Sequence, residues 1–189
     1  RLFDNSMLVN HECNNLNSDF KGRIVDIEKV VIRALSKKNS GIKYFRGVMP
    51  SWDNTARKKN MATIFKNSSP ELFKYWFYKV AQESVTLYSE EERFVFINAW
   101  NEWAEGCHLE PDEKYGYRFL EAIRDVLSKD VTKDYNYNID DFHLLERLFS
   151  KSLDRPVLIE KLGLSKVLFP PFTVRYRIAR GIYRFFKKI

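Results

Sequence analysis

The stretch Phe94-Val95-Phe96-Ile97-Asn98-Ala99 is apolar on both of its alternating faces up to Asn98. A strand that other elements cover on both sides has this composition, and such strands are typical of parallel α/β sheets. The stretch therefore predicts a buried strand over Phe94–Ala99. A long polar loop follows it, from Trp100 to about Lys114.

A second strand and a second long loop are predicted upstream. Residues 20–36 carry Ile24, Ile27 and Val31 at helical spacing, which predicts a helix. The apolar stretch Lys43–Met49 predicts a strand that ends at Pro50, and the polar residues 50–68 predict a loop.

Two further helices complete the pattern. Ser69 at the N-cap and Pro70 at the first helical position predict a helix that runs to about Glu83. Apolar residues at helical spacing predict another helix over Tyr115–Leu127. The order is strand, long loop, helix, twice over, and ligand sites of parallel α/β folds form where loops leave the carboxyl ends of the strands.

The composition excludes several classes of protein. Of 189 residues, 44% are hydrophobic and 30% charged, which excludes disorder of the whole chain. No apolar run approaches the ~18–20 residues of a membrane span. The two cysteines, Cys13 and Cys107, suit a reducing compartment, so we expect a cytoplasmic protein.

Residues 100–106 read Trp-Asn-Glu-Trp-Ala-Glu-Gly and carry the clearest chemical signal. Glu102 and Glu105 lie three positions apart between tryptophans, directly after the predicted strand. Cleavage of a glycosidic bond needs one carboxyl group that is protonated and another that is ionised, and indole faces stack on sugar rings. The structural alternative is a solvated glutamate pair beside tryptophans of the core.

Two other chemistries are possible at the same segment. The spacing of Glu105 and His108 copies that of helical di-iron sites, but Gly106 and Pro111 argue against a helix, and we predict no metal. Cys107 beside His108 suggests a thiol nucleophile, whereas a small buried cysteine is the simpler interpretation. The possible oxygen and nitrogen ligands of a metal are Glu102, Glu105, His108, Glu110 and Asp112.

Two blocks of the sequence resemble a known family. Residues 96–106 read Phe-Ile-Asn-Ala-Trp-Asn-Glu-Trp-Ala-Glu-Gly, and residues 50–57 read Pro-Ser-Trp-Asp-Asn-Thr-Ala-Arg. Together with the helix start at Ser69, they resemble WbsX-type glycosyltransferases, which belong to bacterial surface-polysaccharide clusters and share the fold of glycoside hydrolase family 99. The resemblance covers about residues 40–128.

The resemblance implies an α/β fold, the C-terminal part of a (β/α)8 TIM-type barrel, followed by extra C-terminal helices. It implies that Glu102 is the base acting on the sugar 2-hydroxyl and that Glu105 is the general acid/base of a retaining mechanism. We expect no cofactor, and little or no turnover from this chain by itself. The expected substrate-binding residues are Trp52, Asp53, Asn54, Trp100, Asn101, Trp103 and Glu110.

The expected function is that of a WbsX-type glycosyltransferase in bacterial surface-polysaccharide biosynthesis (O-antigen, lipopolysaccharide or capsule), acting on a glycan or sugar-lipid substrate. A family 99-like retaining hydrolase and a non-catalytic glycan-binding fragment are the alternatives. The expected domains are a partial barrel with the glycan site over residues 1–130, a helical extension over 131–169 and a basic amphipathic helix over 170–189.

The C-terminal segment, residues 161–189, accounts for the net positive charge of the chain. The net charge of the chain is +7, whereas residues 161–189 contain eight basic and no acidic residues. On a helical wheel most of the cations lie on the side opposite to five apolar residues, Val174, Ile178, Ile182, Phe185 and Ile189. Such a helix is typical of peripheral contact with an anionic membrane, here the inner face of the cytoplasmic membrane. A helix docked on the protein body is the alternative, and the absence of any recognisable motif argues against nucleic acid.

Deletion of residues 172–189 should abolish binding of the protein to anionic vesicles. Each cation near an anionic surface contributes about 1 kcal/mol, so a cluster of cations is sufficient for reversible attachment. Liposome flotation measures this, and salt should weaken binding of the intact chain. If the shortened chain floats equally well, the membrane interpretation is wrong.

Overall fold

The computed structural model describes residues 5–37 and 41–132, all within one compact unit, Arg1–Tyr135. The predicted extension and C-terminal helix lie outside the described residues, except for residues 131 and 132. The elements are β1 (Arg23–Asp26), α1 (Ile27–Ser36), β2 (Gly47–Val48), α2 (Thr55–Lys58), β3 (Thr63–Lys66), α3 (Pro70–Leu87), β4 (Phe96–Ile97), β5 (Asn101–Glu102), β6 (Cys107–His108) and α4 (Arg118–Leu127).

The described strands form three two-stranded sheets. Strand β1 pairs with β3 in parallel, with Ile24 opposite Ile64, and β2 pairs with β4 in parallel, with Val48 opposite Ile97. Strands β5 and β6 form an antiparallel hairpin. The fold is therefore mixed α/β with parallel pairing, and the described residues contain no closed barrel.

The helix predicted over residues 20–36 begins later than predicted. Residues Arg23–Asp26 form β1, whose Ile24 carbonyl accepts a hydrogen bond from the Val9 amide at 2.8 Å. Helix α1 begins at Ile27 because the Asp26 side chain accepts a hydrogen bond from the Glu28 amide at 3.0 Å. Ile24 and Ile27 are both buried, one on a strand and one on a helix, so their spacing did not distinguish the two.

The predicted helix start at Ser69 is confirmed. The Ser69 hydroxyl accepts a hydrogen bond from the Leu72 amide at 3.2 Å, and Pro70 occupies the first turn of α3. Helix α3 ends at Leu87 instead of Glu83, and its buried face includes Leu72, Trp76 and Val80.

Helix α4 packs against α3 through an edge-to-face contact between Phe73 and Phe119, whose ring centroids lie 5.5 Å apart. It begins at Arg118 instead of Tyr115. The residues before Arg118 form a turn instead. In this turn the Gly116 amide donates a hydrogen bond to the Asp112 carbonyl at 2.8 Å.

Two expectations about the centre of the chain are wrong in part. Residues 50–68 are not all loop, because they include α2 and β3, and the latter pairs along its whole length with β1. The strand predicted over Phe94–Ala99 is only Phe96–Ile97, and Phe94 and Phe96 are 52% and 62% exposed. Within the described residues, their rings contact Phe45 at centroid distances of 5.5 and 6.5 Å, which covers them only on one side.

The substitution Asp125→Asn should weaken the packing of α4 on α3. Asp125 accepts a hydrogen bond from Lys74 at 2.8 Å, and this bond, assisted by Arg124, lowers the pKa of Asp125 below its ordinary value of 3.8. Because the pair is partly exposed, the expected loss in the free energy of unfolding is about 0.5 kcal/mol at neutral pH.

The stabilisation by Asp125 is fully present above the unfolded-state pKa and is lost as the pH falls through the lower pKa of the folded state. The difference between wild type and Asp125→Asn should therefore shrink below about pH 4. Urea denaturation at neutral and acidic pH measures it, with Glu113→Gln, which removes an exposed carboxylate, as the control. A difference that stays constant at all pH values contradicts the prediction.

Candidate active site

The parallel pair of β2 and β4 brings two loops together. The Phe96 amide donates to the Arg46 carbonyl at 3.1 Å and the Asn98 amide to the Val48 carbonyl at 3.0 Å. Because the strands are parallel, the segments that follow them leave the same edge of the sheet. One segment leads to Trp52 and Asp53, and the other leads to the glutamate pair.

The glutamates lie on a hairpin. Strand β5 pairs Glu102 with Cys107 of β6, and a short turn, Trp103–Glu105, joins the two strands. Gly106 ends the turn in the left-handed region, with φ of +54°. The hairpin therefore places Glu102 at the end of a strand and Glu105 in the connecting turn.

Two hydrogen bonds to main-chain carbonyls of the hairpin join it to the loop that follows β2. The Asp53 amide donates a hydrogen bond to the Glu105 carbonyl at 2.7 Å, and the Ser51 hydroxyl donates to the Gly106 carbonyl. The approach is close: a Cβ atom at Gly106 would lie 3.1 Å from the backbone of Asp53. Glycine at this position thus permits both the left-handed turn and the contact between the loops.

The two glutamates have different surroundings. The Glu105 side chain is only 13% exposed and forms an ion pair with Arg57 of α2. Glu102 is exposed, and within the described residues it forms no ion pair. One carboxylate therefore has a cationic partner and the other faces solvent.

The loop after β2 uses its polar side chains locally. Asp53 accepts hydrogen bonds from the amide and the hydroxyl of Thr55, and buried Asn54 accepts one from the Thr63 amide at 2.8 Å. The Trp52 carbonyl accepts from the Phe65 amide at 2.7 Å. These bonds shape the turn and anchor it to β3, and binding of a substrate by Trp52, Asp53 and Asn54 stays a prediction.

Trp103 is held in place although its side chain is half exposed. Its indole stacks on His108, with ring centroids 3.7 Å apart and planes at 17°, and its Nε1 donates to Glu110 at 2.6 Å. Asp112 in turn lies 3.2 Å from the Nε2 of His108. One indole face is thus packed on protein, and the rest of the ring is open to solvent.

Trp100 and Asn101 are also exposed beside the hairpin. The Trp100 carbonyl accepts hydrogen bonds from the Leu109 and Glu110 amides at 2.8 and 3.1 Å. These bonds close the base of the hairpin, so Trp100, Trp103 and the two glutamates belong to one local structure.

Comparison with known families gives a match to the model of glycosyltransferase WbsX over residues 3–123, most of the chain. The chain belongs to this family. The described residues from the loop after β2 to the hairpin all lie within the match. The family description connects the chain with carbohydrate chemistry.

Two curated relatives are similar over 114 residues at 35% identity. Both are the uncharacterised protein WxcX, from two strains of Xanthomonas campestris pv. campestris. The similar segment makes up 60% of this chain and 16% of each relative, so the chain matches only a small part of their length. No solved structure matches the chain.

Cys107 in this WbsX family member is a buried thiol. It is fully buried, and its Sγ donates to the Asn98 carbonyl at 2.8 Å. Burial raises the pKa of the Cys107 thiol, which keeps it protonated at neutral pH. This agrees with the interpretation of Cys107 as a small core residue and argues against a thiol nucleophile.

The possible metal ligands are not gathered around one point. Within residues 5–37 and 41–132, no three histidine, cysteine or acidic side chains are arranged to hold a metal ion.

None of the helices in that part of the chain is long and apolar enough to cross a membrane.

Sequence reasoning missed two contributors to the site, Arg57 and Ser51. Both lie in the Pro50–Arg57 block that carried part of the resemblance, but neither was assigned a role. A cation within such a block, close to a tryptophan and an aspartate, was the available signal for Arg57. Its partner Glu105 lies far along the chain, and only the fold brings the two together.

The substitution Gly106→Ala should destabilise the protein more than Gly116→Ala. Both glycines have φ near +55°, so alanine costs about 1–2 kcal/mol at either position. Only at Gly106 would the new Cβ also press on Asp53, since nothing lies within 4 Å of a Cβ at Gly116. Chemical denaturation measures both costs, and the amide resonance of Asp53 should move only in Gly106→Ala. Equal losses with an unchanged Asp53 amide would contradict the close approach.

Proposed function

We propose that this chain carries catalytic residues of a glycosyltransferase in bacterial surface-polysaccharide biosynthesis, such as the synthesis of O-antigen, lipopolysaccharide or capsule. The substrate class is a glycan or a sugar carried on a lipid. The reaction is formation of a glycosidic bond, with Glu102 and Glu105 as the catalytic carboxylates. Because the chain matches only 16% of each curated relative, the activity and substrates of the whole protein are part of this proposal.

The contact between the two signature loops supports the proposal most directly. The hydrogen bond from the Asp53 amide to the Glu105 carbonyl joins the Pro50–Arg57 block to the glutamate hairpin. Both loops leave parallel neighbouring strands at the same edge, which is where sites of parallel α/β proteins form. The residues that carry the family resemblance therefore meet at one place.

The surroundings of the carboxylates suit sugar chemistry. Glu102 is exposed and therefore open to an incoming hydroxyl group, whereas the Glu105 side chain, three positions further along, is largely covered. Trp103 offers an indole surface whose orientation is set by His108 and Glu110, so the Trp103 side chain would lose little freedom when a sugar ring stacks on it. Trp100 provides a second exposed indole.

Location of the protein at the inner face of the cytoplasmic membrane would suit this chemistry. Lipid-linked sugars are found at that surface, and the basic segment 172–189 is the proposed point of contact. That segment lies outside the described residues, so its sequence alone supports this part of the proposal.

Replacement of either glutamate should abolish synthesis of the polysaccharide in the organism that encodes the protein. The test deletes the whole encoding gene and restores it as wild type, Glu102→Gln, Glu105→Gln or Glu113→Gln. Glu113 is the matched control, because it is an exposed carboxylate in the same loop. Gel profiles of the surface polysaccharide should return with wild type and Glu113→Gln only.

Each of the two active-site variants should lower polysaccharide yield by at least about a hundredfold, the usual contribution of a general acid or base. Immunoblots must show equal amounts of protein in all strains. Full restoration by Glu102→Gln and Glu105→Gln would overturn the catalytic role of the pair and leave a non-catalytic glycan-binding protein.

A further inference from the structure

The turn between α2 and β3 is exposed and basic. Residues 57–61 read Arg-Lys-Lys-Asn-Met, and all five are exposed, Met61 to 60%. Within the described residues, no ion pair involves Lys58 or Lys59. We call residues 57–61 the basic turn. It combines cations that no carboxylate neutralises with an apolar side chain that the protein does not cover.

The backbone of the basic turn is fixed at both ends. The Lys58 amide donates a hydrogen bond to the Asn54 carbonyl at 2.8 Å, and Ala62, which follows the turn, is fully buried. Between these points the Asn60 carbonyl accepts a hydrogen bond from the Lys21 amide at 2.8 Å, which brings a further exposed lysine beside the turn. The backbone therefore needs little additional ordering when the turn binds a partner.

Lys59, in the middle of the basic turn, has an uncommon backbone conformation. Its φ is +48°, a value that glycine adopts readily and residues with a side chain rarely adopt. Such conformations persist only where the surrounding structure imposes them, and they cluster at functional contacts. Glycine would avoid the strain at this position but would remove the cation, so the presence of lysine favours a role for its charge.

The basic turn lies next to the glutamate hairpin. Helix α2 packs against the Trp103–Glu105 turn, and Arg57 forms an ion pair with Glu105. A surface that binds the basic turn would therefore come close to the candidate site.

Cations around an exposed apolar side chain fit an anionic lipid surface. Negatively charged headgroups attract the cations, and an apolar side chain enters the boundary between headgroups and acyl chains. Single-stranded nucleic acid is held instead by aromatic rings on which its bases stack, and neither residues 57–61 nor Lys21 supplies such a ring. Two acidic residues are close in sequence, Asp53 before α2 and Asp19 before Lys21, and Asp53 is engaged with Thr55.

We propose that the basic turn and Lys21 contact the headgroups of an anionic membrane and thereby hold the glutamate hairpin close to that surface. This contact is separate from the basic segment 172–189 and, with so few cations, is too weak to attach the protein by itself. It acts on a protein that is already held at the membrane, and it determines which side of the described unit faces the lipid. Its purpose rests on the proposed function, because a sugar carried on a lipid reaches the site from that surface.

The first measurement attaches the full chain to vesicles through a C-terminal polyhistidine tag and a nickel-chelating lipid, so that attachment does not depend on segment 172–189. A fluorophore on Met61→Cys, in a chain with Cys13→Ser, reports contact through quenching by nitroxide-labelled lipids. Phosphatidylglycerol added to phosphatidylcholine vesicles should increase the quenching, and salt should reverse the increase. The control is the same fluorophore on Leu127→Cys, since Leu127 is 70% exposed at the end of α4, and its quenching should respond less.

The second measurement is partition of the untagged chain onto phosphatidylglycerol vesicles. Lys58→Gln combined with Lys59→Gln should weaken partition by about twentyfold, or about fivefold for each cation lost near the surface. The matched control, Lys37→Gln combined with Lys129→Gln, removes the same charge from two exposed lysines outside the turn and should have a smaller effect. Circular dichroism establishes that both double variants are folded.

Equal quenching responses at positions 61 and 127 would overturn the inference, and this comparison needs no lysine variant. Equal losses of partition in the two double variants would also overturn it. If Lys58→Gln with Lys59→Gln weakens binding of polyuridylate and leaves partition onto vesicles unchanged, the turn serves nucleic acid and the membrane contact is wrong. The proposed function fails separately, if Glu102→Gln and Glu105→Gln both restore the polysaccharide.

Discussion

The parallel pairing of β2 with β4 is the constraint on which the candidate site depends. Each strand has only two residues, and the hydrogen bonds from Phe96 to Arg46 and from Asn98 to Val48 define their alignment. In an antiparallel pair the two following loops would leave at opposite ends. Parallel pairing instead places the Pro50–Arg57 loop beside the glutamate hairpin. The contacts between the two loops depend on this arrangement.

The site owes its chemical asymmetry to the hairpin. Glu102 and Glu105 are close in sequence, but a strand end and a turn give them different neighbours. Glu105 is covered by the main chain of Asp53 and by Arg57, whereas Glu102 remains exposed. Two chemically identical side chains thus differ in exposure and in partners.

The orientation of the Trp103 side chain is also determined by contacts within the hairpin and the residues that follow it. Trp103 stacks on His108 across the hairpin and donates to Glu110. An exposed tryptophan without these contacts would sample several rotamers, and a ligand would have to restrict them at a cost in entropy. The hairpin therefore holds the Trp103 indole in one orientation next to the carboxylates. Gly106 allows the turn of the hairpin to approach the neighbouring loop.

The sequence by itself determined the features that depend on residues close together in the chain. The cap of α3 at Ser69 and the close spacing of Glu102 and Glu105 are of this kind, because capping and loop composition involve residues within a few positions of one another. Only the tertiary structure decided that Arg23–Asp26 is a strand and that Arg57 meets Glu105. An apolar run as short as that of β1 fits a helix or a strand equally, and its partner β3 lies in what reads as a polar loop. Likewise only the fold brings the Thr63 amide to the Asn54 side chain. Pairing between distant segments carries no local signal, so the fold had to supply it.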